Sequence, residues 1–321
     1  MTGFAFRTDA AGTVERIAVE AVPREVGQSG FLWVHLDGRD TATAEWLHAR
    51  AELRPAVIGA LTAVETRPRT EQMGDSALIN LRGLGTTPDD DPDRLVSIRL
   101  WAAQGRVISV SFRALAAMDD VCEHVAEGKV RDPGDLIAAL AVAITQTLDA
   151  QVADLGDLLD TCEVQIDPDK QAYGMRRAIG HARADAIEYR RFVVPQRTAL
   201  ERLAALDAGW LQEDDRAHLR DAADRFARMA EELEAVRERA ALMHEQLTDL
   251  RAEQIDSRTL LLSIVALIFL PLTFITGLLG MNVEGIPGAH SPWGFDIVVA
   301  ICVAIAAAIT FYFARSHWLK G

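Results

Sequence analysis

The spacing of apolar residues changes character twice along this chain, and each change marks a different kind of element. Up to about residue 130 the apolar runs are short, are separated by turn residues, and read as strands of a mixed α/β region. Residues 31–36 (FLWVHL) are one strand candidate, closed by Asp37-Gly38, and residues 77–81 (ALINL) are a second. Residues 95–103 and 107–112 flank Gln104-Gly105-Arg106 and predict a β-hairpin about a short glycine turn. Between them TTPDDDPDR, residues 86–94, reads as a solvated acidic loop, although its aspartates could also hold a cation.

From Pro133 the period becomes helical. Asp132 is placed to cap the first helix and Pro133 suits its first turn. The apolar positions then run through Leu136, Leu140, Ile144 and Leu148 to Leu155. Asp167-Pro168-Asp169 breaks the pattern, and a second helix follows to about Leu206, with a kink or interruption expected at Pro195. The third helix is the most regular part of the chain. Leu219, Ala222, Phe226, Met229, Leu233, Val236, Ala240, Met243, Leu247 and Leu250 alternate spacings of three and four, a heptad seam that must pack along other helices. No glycine or proline lies between Leu211 and Pro271, so this helix is expected to run without a break for roughly 90 Å.

The third rhythm has no period at all. Residues 259–279 (TLLLSIVALIFLPLTFITGLL) carry no charge, and residues 295–313 carry only Asp296. About twenty apolar residues match the roughly 30 Å hydrocarbon core of a bilayer, so each stretch predicts a spanning helix. Arg251 and Arg258 precede the first stretch, Arg315, His317 and Lys320 follow the second, and the intervening loop has no Lys or Arg. The positive-inside bias then puts both termini in the cytoplasm and the loop outside. The opening MTGFAFRTDA has no apolar segment after a basic start, and the expectation is that the large N-terminal part stays cytoplasmic.

Composition narrows the function. A net charge of −14 excludes nucleic acid as a partner and suits the attraction of cations. Cys122, Cys162 and Cys302 are scattered, show no paired spacing and read as small buried apolar residues. There is no nucleophile elbow, phosphate loop, HExxH or histidine cluster, so the chain is not read as an enzyme and no cofactor is expected.

The first span carries the candidate chemistry. At a 3.5-residue period Glu245, Asp249, Asp256, Thr259, Ser263, Ala266, Leu270 and Thr273 share a stripe about 50° wide, in which hydroxyls take over where carboxylates end. Acidic residues would concentrate a cation at the cytoplasmic mouth, and hydroxyls would replace part of its water shell. The bland alternative is that each Ser and Thr bonds back to its own helix. Two spans cannot enclose a pore, so several copies must assemble around an axis. Pro271 is tolerable there because neighbouring helices can satisfy the carbonyl it frees. Gly280-Met281-Asn282 forms a polar turn at the end of this span, at the mouth of whatever the helices enclose.

Gly280-Met281-Asn282, after a proline-containing first span and before a short loop, a second span and a basic tail, resembles the CorA-type divalent metal-ion transporters. Further segments resemble the ZntB-like zinc-transporting branch. These are Val283-Glu284-Gly285-Ile286-Pro287-Gly288 with Trp293-Gly294-Phe295, Glu65-Thr66-Arg67-Pro68-Arg69 with Leu78-Ile79-Asn80-Leu81-Arg82-Gly83, and Arg190-Arg191-Phe192 with Pro195-Gln196-Arg197. The resemblance spans nearly the whole chain. It implies an α+β cytoplasmic domain with long stalk helices and a two-helix transmembrane hairpin, assembled as a funnel-shaped homopentamer in a bacterial-type inner membrane. The corresponding divisions are a 1–130 α/β domain, a 131–258 helical bundle and stalk, a pore-lining span at 259–280, an outer loop at 281–294, a second span at 295–313 and a tail at 314–321.

The resemblance also assigns roles. Asn282 would form an outer ring receiving a hydrated cation, shaped by Gly280 and Met281. Thr273 would form a hydroxyl ring, and Leu270 and Leu262 would form apolar constrictions. Asp256 stands where many relatives have asparagine. Glu284 is the only loop carboxylate left to attract cations, since Gly288 and Ala289 replace acidic residues there, and His290 is read as a polar surface residue. Asn282 offers neutral oxygens that suit a hydrated Mg²⁺, whereas Zn²⁺ held by direct bonds would want His or Cys, and the stripe has neither. Zn²⁺ and its proton-coupled uptake are therefore implied by the resemblance alone. Mg²⁺ or Co²⁺ passage through a CorA-type channel and a coiled-coil scaffold without transport stay open.

Overall fold

A computed structural model describes residues 2–23, 30–64, 67–86, 94–164, 172–281, 286 and 291–315. The chain forms two compact units, residues 1–166 with 171–244, and residues 167–170 with 245–321.

The first unit opens with a seven-stranded sheet. Its strands are β1 (Gly3–Thr8), β2 (Val14–Ile17), β3 (Phe31–Asp37), β4 (Arg69–Met73), β5 (Ser76–Leu84), β6 (Leu95–Ala103) and β7 (Arg106–Ser111), in the order β2-β1-β3-β7-β6-β5-β4. All neighbours are antiparallel except β3 and β7, which run parallel from Leu32↔Arg106 to Asp37↔Ser111. The hairpin expected around Gly105 forms, with Ala103 opposite Arg106. Gly105 takes φ +66° and Gly74, in the β4–β5 turn, φ +67°; a side chain is strained in either place.

Helices α1 (Ala42–Ala49) and α2 (Pro55–Leu61) cover one face of the sheet, where Trp46, Leu47, Val57 and Leu61 pack with Leu32, Val34, Ile108 and Val110. The other face receives α4 (Pro133–Val164), after α3 (Met118–Ala126). A Cβ on Gly83 would lie 2.9 Å from Leu115 and 3.1 Å from Ile144, so strand and helix approach closely there.

Helices α4, α5 (Ala172–Ala204) and the first half of α6 (Glu213–Leu279) complete this unit. The heptad seam of α6 is buried from Leu219 to Leu247, while Leu250 is partly open. Arg239 reaches Asp160 (2.6 Å) and Glu163 (2.7 Å) on α4, and Arg190 of α5 reaches Glu234 of α6 at 3.1 Å. Of the kink or interruption expected at Pro195, the interruption does not occur, and α5 continues through it. Phe192, Val193, Ala199, Leu200 and Leu203 are buried around the proline. That packing offsets the lost backbone bond. Gln196 adds to it, since its side-chain amide pairs with both the N–H (2.6 Å) and the C=O (2.9 Å) of Arg82 on β5. The Asp167-Pro168-Asp169 break and most of the acidic loop, residues 87–93, lie outside the described residues.

In the second unit the remainder of α6 passes Pro271 without ending, and α7 (Gly294–Arg315) follows. Among the described residues, three helices are long and apolar enough to cross a membrane: α4, α6 and α7. The apolar window of α4 is 56% buried within the protein, whereas those of α6 and α7 are not buried at all. Helix α4 therefore spends its apolar surface on a protein core. The other two present theirs outward, which water does not tolerate over such lengths but lipid does.

Candidate functional site

The stripe of the first span lies wholly on the second half of α6. Glu245, Asp249, Asp256, Thr259, Ser263, Ala266 and Thr273 are exposed, as are Leu262 (68%) and Leu270 (70%). The three carboxylates have no ion-pair partner among the described residues. Each hydroxyl donates to the carbonyl four residues earlier: Thr259 to Ile255 (2.8 Å), Ser263 to Thr259 (2.8 Å) and Thr273 to Phe269 (2.7 Å).

The bland alternative for these residues is thus what their geometry shows, and it decides what they can still do. A hydroxyl has one proton and two lone pairs. With the proton committed to the helix, each oxygen presents only acceptor capacity outward. Such a row accepts from the waters of a hydrated cation, or bonds a cation directly, and has nothing to offer an anion.

Pro271 leaves the Leu267 carbonyl without its helical donor. Just beyond it Thr276 donates to Leu272 (3.0 Å) and Thr273 (3.2 Å), adding side-chain bonds where the backbone ladder has lost one. Gly280 closes the helix by donating its N–H to Thr276 (2.9 Å), and a Cβ there would stand 2.8 Å from that carbonyl oxygen. The glycine of the Gly-Met-Asn turn is therefore a fitting requirement of the helix end. Met281 is exposed. Asn282, Glu284, Gly288, Ala289 and His290 lie outside the described residues, as do His317 and Lys320.

Two polar clusters in the first unit escape a reading of the chain. Carboxylate oxygens of Asp132, Asp135 and Asp215 lie within 4.8 Å of one another. Asp132 accepts from the N–H of Asp135 (3.0 Å), which makes it the cap that its position suggests. Asp135 accepts from Arg131 (2.9 Å), and Asp215 accepts from Gln212 at the start of α6 (2.7 Å). Burial, then the two neighbouring carboxylates, push Asp215 up to about 6, and burial raises Asp132 as well. In this arrangement the three carboxylates fix two helix starts through the N–H groups of Arg131, Asp135 and Gln212. Gly134 admits it, because a Cβ there would fall 2.0 Å from Asp215 Oδ2. Asp215 being the third residue of α6 is the only signal the sequence carries for it.

The second cluster sits on the sheet. His35 Nδ1 meets Ser109 Oγ at 2.8 Å, its Nε2 meets Ser111 Oγ at 3.2 Å, and Trp33 donates to Ser109 at 2.9 Å. Burial lowers His35 to about 4, against a smaller opposing pull from Asp37. With Ser109 fully buried, this is a structural network and not a nucleophile. Cys162 is buried, Cys122 and Cys302 are partly so, and burial pushes the Cys122 thiol up to about 11.

The comparisons with known proteins agree with this architecture. A family model described as CorA-like Mg2+ transporter protein matches residues 28–315. The zinc transport protein ZntB of Pectobacterium atrosepticum is 31% identical over 316 residues, covering 98% of this chain and 95% of that one. The solved structure of the full-length CmaX protein superposes with a TM-score of 0.82 at 31% identity, covering 98% of each chain. The complete structure of the CorA magnesium transporter from Methanocaldococcus jannaschii reaches a TM-score of 0.83 at 18% identity over 99% of each chain, a likeness of fold.

Proposed function

This chain belongs to the CorA-like Mg2+ transporter family of divalent-cation transporters, and we propose that it carries Zn²⁺ across a bacterial-type inner membrane as a ring of identical subunits. The observation that carries the reading is the hydroxyl row of α6, whose protons are bound to the helix's own carbonyls and whose lone pairs face outward. In a ring of five copies, residues 259–280 line the path and residues 295–313 pack outside it, with 1–258 and 314–321 in the cytoplasm. Asp256, Asp249 and Glu245 gather cations at the inner mouth. Leu262 and Leu270 narrow the path, Thr259 and Thr273 accept from the ion's water shell, and the turn of Gly280, Met281 and Asn282 receives the hydrated ion on the outer side. Glu284 is the loop carboxylate that draws cations to it.

Zinc is preferred because the full-length curated relatives are zinc transport proteins. A second reading, a Mg²⁺ or Co²⁺ channel, is favoured by one feature: the stripe offers oxygen alone, which suits an ion that keeps its waters. Metal uptake into proteoliposomes, comparing Zn²⁺ with Mg²⁺ with and without an inward proton gradient, separates them. Zinc uptake accelerated by the gradient is expected, falling at least tenfold in Asn282→Ala. Uptake of Mg²⁺ alone, insensitive to pH, overturns the zinc assignment. If no divalent ion moves faster than in Asn282→Ala, the chain is a scaffold instead.

A further inference from the structure

Three segments that the sequence singles out converge on one cleft of the first unit. Arg67 comes from the first, Arg190, Arg191, Phe192 and Pro195 come from the third, and all of them line a cleft of about 960 Å³. The second segment stands behind it. Asn80 donates to the Arg67 carbonyl at 2.8 Å, and the Arg82 guanidinium lies 3.9 Å from the Phe192 ring centre. Ile187 and Val194, 50% and 42% exposed, sit on the same face of α5. This is an apolar strip edged by arginines on a chain whose net charge is strongly negative.

The neighbouring helix has the opposite character. Helix α4 carries six acidic residues and no Lys or Arg, whereas α5 carries seven arginines against three acids. Part of this charge is spent on α6, where Arg239 holds Asp160 and Glu163 and Glu234 holds Arg190. Asp149 and Asp157 on α4, and Arg183 and Arg191 on α5, are exposed and have no ionic partner among the described residues. Leu158 of α4 is also exposed, giving that face an apolar element of its own.

We propose that the arginine-edged face of α5 is an interface, and that its occupant is the acidic outer face of α4 from a second copy of this chain. Opposite charges on two different faces of one bundle make a head-to-tail contact, and such contacts close into rings rather than twofold dimers. An apolar strip with a charged rim is the anatomy of a specific interface, in which the charges set register and reject wrong pairings. The inference rests on the reading that identical subunits assemble, and it names the surfaces they use.

The heights of the contact follow from the bundle. Helix α4 starts beside the start of α6, where Gly134 abuts Asp215. Helix α5 ends there too, because Arg216 donates to the Ala204 and Leu206 carbonyls. The two helices are antiparallel, so Ile187 stands level with Ala150. About an axis along the bundle, cyclic symmetry keeps all copies at one height and brings Ile187 of one copy to Ala150 of the next.

The test uses the full-length protein in proteoliposomes, with its three native cysteines changed to alanine. Ala150→Cys combined with Ile187→Cys, oxidised with copper phenanthroline, is expected to give a ladder of disulfide-linked multimers ending at the closed ring. Ile187→Cys alone is expected to give none. Arg183→Asp with Arg191→Asp should raise the subunit dissociation constant at least tenfold by native mass spectrometry. Adding Asp149→Arg and Asp157→Arg should recover most of that loss. Dimers from Ile187→Cys alone, no ladder from an intact oligomer, or a four-fold variant weaker than the two-fold one each overturn the proposal. Divalent uptake measured on the same vesicles keeps the two readings apart. Uptake without a ladder defeats only the interface, and a ladder without uptake defeats only the transport reading.

Discussion

Helix α6 is one continuous helix written for two solvents. In its first half, Leu219, Phe226, Leu233, Ala240 and Leu247 recur at heptad spacing and are buried, and many of the positions outside the seam are charged. In its second half, from Thr259 to Leu279, charge disappears, and Leu262, Phe269, Leu270 and Phe274 are all largely exposed. The first half gains its stability by hiding one stripe from water. The apolar window of the second is not buried by any of the described residues, which suits a lipid surrounding. Its polar stripe can then be spared for function, because the chain's own core does not need it.

Truncations test this contrast most strongly. Phe226→Ala removes a fully buried ring from the seam and should destabilise the first unit by about 3–5 kcal/mol. Leu270→Ala should cost the fold of the chain less than about 1 kcal/mol and act on ion flux instead. Denaturant titration of the detergent-solubilised protein, followed by tryptophan fluorescence, reads the first, and vesicle uptake reads the second. Equal losses of stability would mean that the span packs within its own chain as the seam does.

A smaller effect sharpens the role of the hydroxyl row. Thr273→Val keeps the shape and removes the outward lone pairs, so flux should fall about tenfold, equivalent to about 1.4 kcal/mol on the barrier. Thr273→Ser keeps the oxygen and should stay within about twofold of the native rate, below about 0.5 kcal/mol. If Val and Ser behave alike, the hydroxyl serves only its own helix, as its bond to Phe269 allows.

The two halves also differ in how far the sequence discloses them. The seam is legible through position 247 because burial against helices leaves a 3.5-residue period, and both apolar spans are legible because length alone identifies them. Strands β3, β5, β6 and β7 stand out because they are buried on both faces and read as apolar runs. Strands β1, β2 and β4, with α1 to α3, are short and half exposed, and they leave no comparable pattern. Pro195 leaves kink and interruption both open in sequence because its local cost is visible there, while the packing of Phe192, Val193 and Leu200 that keeps α5 continuous is not. The Asp132–Asp135–Asp215 cluster is hidden for another reason: two helix starts far apart in the chain create it only when they meet. The hydroxyl stripe is legible as a pattern, but where its protons go is not.

The smallest effect concerns protons, and it belongs to the first unit, since no ionisable group lies between Thr259 and Leu279. His35 is lowered from 6.5 to about 4, so between those values the unfolded chain binds the extra proton and stability rises with pH. Asp215 is raised from 3.8 to about 6, so over that window the folded chain binds the extra proton and stability falls as pH rises. Asp132 adds to the second slope, because burial raises it too. The two slopes oppose each other between about pH 4 and 6, and the native protein should show a nearly flat stability profile there. His35→Gln removes one side of the balance, and its stability should fall from pH 4.5 to 6. Asp215→Asn removes most of the other, and its stability should rise over the same range. Denaturant midpoints at three pH values measure both signs. Matching slopes in the two variants would mean that neither group carries the proton linkage, and the first unit would then be as indifferent to these two groups as the uncharged span is.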